Sequence, residues 1–409
     1  MTMPTLPDAA WRQDEGLRRV VVALQDEHGG PRIVGGAVRD SLLGLEVSDV
    51  DLATTLLPEM VIDRLEAARI KAVPTGLDHG TVTAVASGRN YEITTLRRDV
   101  ATDGRRATVA FSTDWHEDAA RRDFTINALY ANPQSGEIFD YFGGLHDLQA
   151  GMVRFIGDAD QRIAEDFLRI LRYFRFFARF GRGPADDEAI RACAHGAHGL
   201  TALSRERIAQ ELTRLLLLAD PAQSIDLMIS HGIFAPFLPE IADSAADKLK
   251  LLVRREHDHG AALSLSARLL TLLPHDASVV DKVAARLKLS NRLRESLGKR
   301  LDAPKPSSAT IKAIAYRSGI ETARDVALLY ATDADLPGCL TALDGWVDPR
   351  MEIKGGDLIG MGIPAGPMVA KTLQAVEAAW IAEDFPDAPR QTDIARQLAT
   401  NALSASRKA

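Results

Sequence analysis

Two aspartates in a short glycine-rich stretch are the first residues of this sequence that could carry out chemistry. The stretch VGGAVRDSLLGLEVSDVDLAT, residues 34 to 54, contains Asp49 and Asp51. Side chains two residues apart in a β-strand point to the same face, so the spacing predicts neighbouring carboxylates. Two such carboxylates repel each other, and Mg²⁺ removes that repulsion by binding them together with water and phosphate oxygens. The pair is a candidate metal site, the alternative being two solvated side chains at a strand end.

A glycine turn precedes the aspartate pair. Gly35 and Gly36 lie between a predicted strand, PRIVGG, and a predicted helix, AVRDSLLG, and Arg39 follows one turn into that helix. Glycines at this position let backbone N–H groups approach a phosphate, and the arginine adds a permanent positive charge. The whole stretch is thus suited to a nucleoside triphosphate and its Mg²⁺. Glu92, in a predicted hairpin, is either a third carboxylate on the same side or an exposed strand residue.

A second charged segment, DAARRDFTINALY, covers residues 118 to 130. Within it, Arg122 could bind a phosphate group, and Asp123 could accept a hydrogen bond from a ribose hydroxyl. A protein that recognises this hydroxyl distinguishes ribose from deoxyribose. The alternative is an ordinary helix start with a surface salt bridge.

A third segment, AEDFLRILRYFRF, has charged residues at helical spacing. Asp166 and Arg169 are three residues apart, which places them on one face of a helix, and Arg172 and Arg175 continue at the same spacing. An ion pair is the usual interpretation of such spacing. A carboxylate beside a guanidinium can also bind a base edge, because it accepts from an amino group and donates to the adjacent ring nitrogen. Cytosine and adenine present that pattern, whereas uracil and guanine present the opposite polarity.

The elements that must position these residues change character along the chain. The first ~150 residues mix strand-like and helical runs, and TVTAVASGRNYEITTL is predicted to be a β-hairpin. From about residue 158 the periodicity is helical. DQRIAEDFLRILRYFRFFARFG is predicted to be one amphipathic helix closed by Gly181, and Ser204 is the predicted N-cap of a later helix. These patterns indicate an N-terminal head containing both strands and helices, followed by an all-helical body.

Length and composition narrow the class of protein. A chain of 409 residues, 46% hydrophobic and 26% charged, is long enough for several globular domains. No apolar run reaches the roughly 18 residues of a membrane span, no signal-peptide pattern begins the chain, and two cysteines do not make a disulfide framework. We therefore expect a cytoplasmic protein without a membrane partner. The net charge is −7, but arginines and lysines dominate residues 161–182 and 281–305, where nucleic acid could bind.

The sequence resembles the class II tRNA nucleotidyltransferase and poly(A) polymerase family, within the polymerase-β-like nucleotidyltransferases. The matching motifs run in family order over residues 33 to about 215. They are GGAVRDSLLG…SDVDLAT, HGTVTAV…YEITTLRRD, DGRRATVAF…EDAARRDFTINALY, FDYFGGLHDLQAGMVRFIG, AEDFLRILRYFRFFARFG and LSRERIAQEL. The C-terminal half matches only loosely, mainly at GGDLIGMGIPAGP.

The resemblance implies roles for the residues introduced above. Asp49 and Asp51 would be metal ligands and, with Glu92, the catalytic carboxylates, with Mg²⁺ as the cofactor. Asp166 and Arg169 would pair with the base. The implied nucleotide-binding set as a whole is Gly35, Gly36, Arg39, Arg122, Asp123, Asp166, Arg169, Arg172 and Arg175.

The resemblance also implies a fold and a domain order. The fold is an α+β nucleotidyltransferase head with a small mixed or antiparallel sheet and helices, followed by an all-α neck, body and tail. The catalytic head would cover residues 1–150 and the neck with the base-binding helix 151–215. The body would cover 216–305 and the tail, a tRNA contact, 306–409.

The implied activity is addition of CCA to the 3′ end of tRNA from CTP and ATP, with release of pyrophosphate. No protein partner is evident. The alternatives are partial addition of CC or A, and poly(A) polymerisation. The segment LRRDVATDGRRATVAFSTDWHEDAARRDFT is present in full, as in complete CCA-adding enzymes, and AARIKAVPTGLDHGTV fits that form better than the basic run of bacterial poly(A) polymerases.

Two interpretations from other classes remain open. His257-Asp258 and His275-Asp276 could belong to a metal-dependent phosphohydrolase site. Their local sequences instead favour a helix end and a helix cap, and such a site needs further ligands. A catalytically inactive RNA-binding protein is the other alternative, against which the intact aspartate pair argues.

Overall fold

The computed structural model describes residues 5–27, 29–102 and 107–406. The chain forms two compact units, Met1–Ala246 and Asp247–Ala409. The residues 103–106, inside the segment compared above with complete CCA-adding enzymes, lie outside the described residues.

A mixed β-sheet forms the centre of the first unit's N-terminal half. The strands are β1 (Arg32–Val34), β2 (Asp51–Thr54), β3 (Lys71–Gly76), β4 (Thr81–Ala86), β5 (Arg89–Thr95), β6 (Arg97–Thr102), β7 (Ala107–Phe111), β8 (Leu129–Ala131) and β9 (Ile138–Asp140). Seven of them form one sheet in the order β3-β4-β5-β2-β1-β8-β9, while β6 and β7 form a separate hairpin. The β2–β5 pair is parallel and its neighbours in the sheet are antiparallel. The predicted mixed-sheet head is confirmed.

The predicted hairpin is β4 and β5, joined at Ser87 and Gly88. Both residues have positive φ, 50° and 78°, as a two-residue type I′ turn requires. Val82 faces Ile93 across the pair, and both side chains are buried. Alternation of buried and exposed residues therefore sets the register of β5, the strand that carries Glu92.

Helices surround the sheet and then take over the chain. Those of the first unit are α1 (Glu15–Ala23), α2 (Gly36–Leu42), α3 (Pro58–Ala67), α4 (Trp115–Ala120), α5 (Gly144–Ala150), α6 (Ala159–Glu165), α7 (Leu168–Phe180), α8 (Asp187–Gly196), α9 (Arg205–Leu216) and α10 (Ala222–Ser230). Short 3₁₀ turns lie between several of them. The predicted helices at the glycine turn and after Ser204 are confirmed as α2 and α9.

The single helix predicted over residues 160–181 is wrong, because it is two helices. The chain breaks at Asp166, whose backbone is extended at φ −153° and ψ 106°. The Asp166 carboxylate accepts a hydrogen bond from the backbone N–H of Leu168. Such a side-chain bond competes with the backbone hydrogen bonds of a helix. The apolar periodicity continues across the break, so it concealed the interruption. The second helix, α7, buries Tyr173, Phe174 and Phe177.

The second unit is entirely helical in its described part. Its helices are α11 (Ala245–Asp258), α12 (Leu265–Leu272), α13 (Ala277–Arg286), α14 (Asn291–Leu301), α15 (Ile311–Ser318), α16 (Ile320–Tyr330), α17 (Leu336–Leu343), α18 (Gly355–Gly360), α19 (Pro367–Ala382) and α20 (Ala388–Ser406). One apolar cluster centres on α15 and α16, around Ile311 and Val326. Another packs about the buried Trp380 of α19. The expected all-helical C-terminal half is confirmed.

The two His-Asp pairs have the structural positions that their local sequences favoured. His257 and Asp258 end α11 with exposed side chains, and Asp276 caps α13 by accepting from the backbone N–H of Val279. His275 packs edge-on against Tyr330. In the described part of the chain, neither pair belongs to a group of three or more His, Cys, Asp or Glu side chains that could hold a metal ion. Over residues 5–27, 29–102 and 107–406, no helix has the length and apolar character needed to cross a membrane.

Candidate active site

A cavity of about 510 Å³ in the first unit collects most of the predicted site residues. Five arginines and three aspartates give it an excess of positive charge, as a polyphosphate ligand requires. Its lining consists of Val34, Gly35, Gly36, Arg39, Asp51, Arg122, Asp123, Asn127, Asp166, Leu168, Arg169, Arg172, Phe176 and Arg207.

The glycine turn forms one wall of the cavity, as predicted. Gly35 is the N-cap of α2 and has a φ of 66°, which favours glycine over any other residue. It lets the chain turn sharply from β1 into the helix, and both Gly35 and Gly36 line the cavity. Arg39 is buried one turn further on, where it donates to Asp40 at 2.7 Å and stacks over Phe180 at 4.3 Å. Its guanidinium also donates to the side-chain carbonyl of Asn127.

Two of the three candidate carboxylates, Asp51 and Glu92, lie on paired strands, and Asp49 lies just ahead of one of them. Asp51 is the first residue of β2 and stands opposite Glu92 in the parallel pairing with β5. Asp49 precedes the strand, is exposed and accepts from the Ser48 hydroxyl at 2.9 Å. The strand predicted to carry both aspartates begins only at Asp51, where β2 starts to pair with β5, so Asp49 lies outside it.

Electrostatics at these carboxylates favours a cation. Loss of surrounding water, together with the negative charges of Glu92 and Asp49, raises the pKa of Asp51 to about 6. Part of this shift comes from repulsion between the charged carboxylates, which a divalent cation would relieve. In the described residues no group of three or more Asp, Glu, His or Cys side chains is arranged to hold a metal ion. A Mg²⁺ ion needs only one or two carboxylates when water and substrate phosphates supply the other ligands.

Arg122 enters the cavity from a buried charged network. Its guanidinium donates to the Tyr130 hydroxyl at 3.0 Å and to Asp118 at 3.2 Å. Asp118 also binds Arg121 at 2.6 Å and accepts from the Tyr130 hydroxyl at 2.7 Å. Burial raises the pKa of Asp118, but the guanidinium groups of Arg122 and Arg121 outweigh it and keep that pKa below its usual value. The surface salt bridge considered as the alternative is thus a buried network.

Asp123 lies at the cavity wall with its acceptor positions filled. One oxygen accepts from the backbone N–H of Phe124 and from Asn127, both at 2.9 Å. The other accepts two hydrogen bonds from Arg172. A carboxylate has about four acceptor positions. A ribose hydroxyl could therefore bind the Asp123 carboxylate only by displacing one of these donors, which departs from the role expected from sequence.

Asp166 and Arg169 both line the cavity, but they do not pair with each other. Asp166 binds Arg207 at 2.7 Å, and Arg169 binds Glu165 on the preceding helix. The expected i,i+3 arrangement on one helix face is wrong, because Asp166 lies before α7 begins. The two side chains instead meet at the cavity from either side of the helix break.

Three predicted site residues, Asp49, Glu92 and Arg175, do not line the cavity, and Arg175 binds a partner elsewhere. Its guanidinium binds Glu211 of α9 at 2.6 Å and lies over the Phe176 ring at 4.5 Å. Arg175 is not among the cavity's lining residues. Glu211 is buried, so this ion pair binds α7 to α9 rather than facing a ligand.

Five residues that line the cavity were not predicted from sequence, namely Val34, Asn127, Leu168, Phe176 and Arg207, and three of them make contacts that matter for the site. Asn127 connects Arg39 to Asp123, Arg207 binds Asp166, and Phe176 contributes an aromatic wall. Asn127 and Arg207 stood inside the quoted motifs FTINALY and LSRERIAQEL, but only their neighbours in space reveal what they bind. Phe176 was indistinguishable from the other aromatic residues of α7.

Comparison with known families assigns both halves of the first unit. Residues 31–154 match the model described as the poly A polymerase head domain. Residues 186–244 match the model described as a probable RNA and SrmB-binding site of polymerase A. The first match contains β1 to β9, and the second contains α8, α9 and α10.

Individual relatives and solved structures agree with these matches. The mitochondrial CCA tRNA nucleotidyltransferase 1 of Mus musculus is 36% identical over 383 residues, covering 90% of this chain and 86% of the relative. The CCA-adding enzyme of Geobacillus kaustophilus is 32% identical over 374 residues, covering 86% and 88%. The Bacillus stearothermophilus CCA-adding enzyme, solved in complex with CTP, superposes with a TM-score of 0.69 at 26% identity, over 95% of this chain and 98% of that one. The Thermotoga maritima enzyme, solved with tRNA, shares the fold with a TM-score of 0.70 at 21% identity, over 98% and 100%. The chain therefore belongs to the tRNA nucleotidyltransferase family that contains the CCA-adding enzymes.

Proposed function

We propose that this protein adds C, C and A to the 3′ end of tRNA, using CTP and ATP and releasing pyrophosphate. One observation carries the proposal. A single cavity is lined by a donor, Arg169, and an acceptor, Asp166, together with further arginines and the carboxylate of Asp51. Relatives named as CCA-adding enzymes cover most of this chain's length, which supports the same reaction.

The incoming triphosphate would lie against the glycine turn. The N–H groups that begin α2 and the guanidinium groups of Arg39, Arg122 and Arg172 supply hydrogen bonds and positive charge for phosphate oxygens. Asp118 and Asp123 hold two of these guanidinium groups in fixed positions. Because these donors are held before the reaction, charge that develops on the leaving pyrophosphate is stabilised without further rearrangement.

Asp49 and Asp51 would hold Mg²⁺, with Glu92 adding negative charge beside them. When bound there, the metal would polarise the α-phosphate and activate the RNA 3′-hydroxyl for attack. The protein's own contribution is to fix the carboxylates at the strand end and to orient the triphosphate for in-line displacement.

Base selection would depend on the polarity of Asp166 and Arg169. The carboxylate accepts from the amino group of cytosine or adenine, and the guanidinium donates to the adjacent ring nitrogen. Uracil or guanine would set an acceptor against Asp166 and a donor against Arg169, leaving buried groups unpaired. This mechanism needs no nucleic-acid template.

The helical remainder of the chain would hold the tRNA. In this proposal the catalytic head covers residues 1–150 and the neck covers 151–215. The body covers 216–305 and the tail covers 306–409. The match of residues 186–244 to an RNA-binding model supports an RNA contact on α8 to α10. The basic residues between 281 and 305 are a second candidate contact.

The test is incubation of the purified protein with tRNA that lacks its 3′ end and with each nucleoside triphosphate, alone and combined. Three added nucleotides that require both CTP and ATP support CCA addition. A long ladder with ATP alone, on any RNA, indicates poly(A) polymerisation, and arrest after two C or addition of a single A indicates a partial enzyme. Omission of Mg²⁺ or addition of EDTA should stop all incorporation while tRNA binding persists.

The cytoplasmic location expected from the sequence belongs to the proposal as well. Three of the relatives are mitochondrial enzymes and several are bacterial. Fractionation of the source cells followed by antibody detection distinguishes an organelle from the cytoplasm.

A further inference from the structure

The residues on either side of the helix break form crossed ion pairs. Asp166 binds Arg207 of α9, with Nη2 of the arginine 2.7 Å from Oδ2 of the carboxylate. Arg169 of α7 binds Glu165 of α6. Each of the two residues that face the base in the proposed function therefore has its own partner of opposite charge, and neither neutralises the other.

Arg207 reaches Asp166 from an independently fixed position. It lies in the first turn of α9, where its backbone N–H donates to the N-cap hydroxyl of Ser204 at 3.4 Å. Its side chain is 38% exposed and lines the cavity, whereas the arginines on the adjoining helix bind other partners. A half-exposed side chain at a helix start contributes little to the core, so its replacement should leave the fold intact.

The contact with Arg207 determines how the Asp166 carboxylate is oriented. Oδ1 accepts from the backbone N–H of Leu168 at 3.0 Å, and Oδ2 accepts from Arg207. The terminal torsion of an aspartate is otherwise broad, so one donor on each oxygen is what defines the plane of the group. Each oxygen keeps a further acceptor position, because a carboxylate has about four in all. The free positions can therefore accept a base amino group while both protein donors remain bound.

We propose that Arg207 is a positioning residue for base selection: by holding Asp166 as an oriented acceptor, it makes the site take cytosine and adenine and exclude uracil and guanine. The inference rests on the proposed function, since it takes the base to lie between Asp166 and Arg169. Without Arg207 the carboxylate turns more freely, and the penalty for a base of the wrong polarity falls.

The test is equilibrium binding of CTP, ATP and UTP to the intact chain, with Mg²⁺ and without RNA. Arg207→Ala should weaken CTP and ATP binding about tenfold, the effect of losing one charge-assisted contact, while UTP binding changes little. Arg207→Lys should recover part of the difference, since lysine supplies the charge as a single point rather than a planar fork. Arg18→Ala is the matched control, because Arg18 lies on α1 with its side chain 66% exposed and is not among the residues that line the cavity.

Incorporation into tRNA provides the second readout. The ratio of C to U incorporation by Arg207→Ala should fall about tenfold relative to the wild type, and circular dichroism should show an unchanged thermal transition. An equal loss for CTP and UTP, or an unchanged ratio, would overturn the assignment and leave Arg207 with a purely structural role. If Arg207→Ala proves to be destabilised, the proposal is tested with Arg207→Lys instead. That variant must then show a ratio of C to U incorporation between the wild-type ratio and one about tenfold lower.

The two proposals fail in different ways. A wild-type protein that prefers CTP to UTP in binding but adds nothing to tRNA contradicts CCA addition and leaves the role of Arg207 standing. If the wild-type protein adds CCA and the Arg207 variants distinguish CTP from UTP as well as the wild type does, only the role of Arg207 is contradicted.

Discussion

Asp51 in β2 and Glu92 in β5 stand opposite each other across the parallel pairing of these strands. Paired residues of neighbouring strands project their side chains to the same face, so the two carboxylates concentrate negative charge there. Loss of surrounding water, with the charges of Glu92 and of Asp49 just ahead of β2, raises the pKa of Asp51 to about 6. Asp51 also lines a cavity rich in arginine. A bound cation would balance the negative charge of the carboxylates, and a bound polyphosphate would balance the positive charge of the arginines.

Replacement of Asp51 by asparagine should abolish nucleotide addition. The amide keeps the size of the side chain but removes a ligand charge, so we expect kcat to fall by at least about a hundredfold, more than the loss of an outer-shell partner costs. Affinity for tRNA, measured by filter binding, should stay within twofold of the wild type, about the error of such comparisons. Glu59→Gln, an exposed carboxylate on α3, is the matched control and should change neither quantity. Full activity in Asp51→Asn would remove Asp51 from the metal site.

Asp123→Asn tests whether this carboxylate recognises ribose directly. Its acceptor positions are filled by Arg172, Asn127 and the backbone N–H of Phe124, so its effect should pass through those donors. We expect kcat/KM to fall about tenfold or more for CTP and for dCTP alike, because Arg172 loses its charged partner. Steady-state kinetics with both nucleotides measure this. A loss confined to CTP would instead assign the ribose 2′-hydroxyl to Asp123.

Asp118 should make the stability of the protein depend on pH in the acid range. Its pKa is held below the usual 3.8 in the folded state, since the attraction of Arg122 and Arg121 exceeds the effect of burial. A group with a lowered folded pKa stabilises the protein above its unfolded pKa and loses that effect as the pH falls through the folded value. The stability difference between wild type and Asp118→Asn should therefore be about 3 kcal/mol near pH 7 and shrink below about pH 4.

Urea unfolding at several pH values checks the prediction for Asp118. Asp63→Asn, at an exposed position of α3, is the control and should match the wild type throughout. A difference for Asp118→Asn that stays constant down to pH 3 would contradict the predicted role of its charge.

A buried ion pair in the second unit gives a prediction for stability alone. Arg300 and Asp325 are both buried and lie 2.7 Å apart. Asp325→Ala should lower the free energy of unfolding by about 3 kcal/mol, because a buried guanidinium loses its carboxylate. The double replacement Arg300→Met with Asp325→Leu should recover most of that loss, since apolar residues of similar volume replace the pair. Calorimetry measures both, and Lys299→Ala, at an exposed pair on the same helix, should show no comparable loss.

Charge reversal at Arg292 and Arg294 tests the second candidate tRNA contact. Both residues are on α14, where Arg294 binds Asp281 at 2.6 Å and Arg292 is exposed. If they bind phosphates, the double change to glutamate should raise KM for tRNA about tenfold and reduce the slope of log affinity against log salt by roughly one to two. The double change Arg18→Glu and Arg19→Glu, on the exposed side of α1, carries the same charge difference and is the control. An unchanged salt slope would exclude α14 from the contact.

Local sequence was enough to predict much of the fold. The hairpin of β4 and β5, the glycine turn into α2 and the N-cap at Ser204 each depend on residues within one turn or one strand pair, and all three are confirmed. The helix break at Asp166 was not predictable from periodicity, because the apolar spacing continues through it. A side-chain hydrogen bond to Leu168 competes with helix formation there, and its strength depends on the surroundings.

The sequence by itself determined which residue types the site contains and the order in which the elements that carry them follow. The motifs predicted glycines, arginines and aspartates at turns and at the starts of helices, where their polar groups can contact a ligand. Only the tertiary structure decided the partners. Arg175 turned to Glu211, Asp123 was saturated by Arg172 and Asn127, and Asp166 received Arg207 from a helix about forty residues further along the chain. Ion pairs between elements depend on how the helices pack. Packing brings together side chains that are far apart in the sequence, and sequence separation does not predict which of them meet.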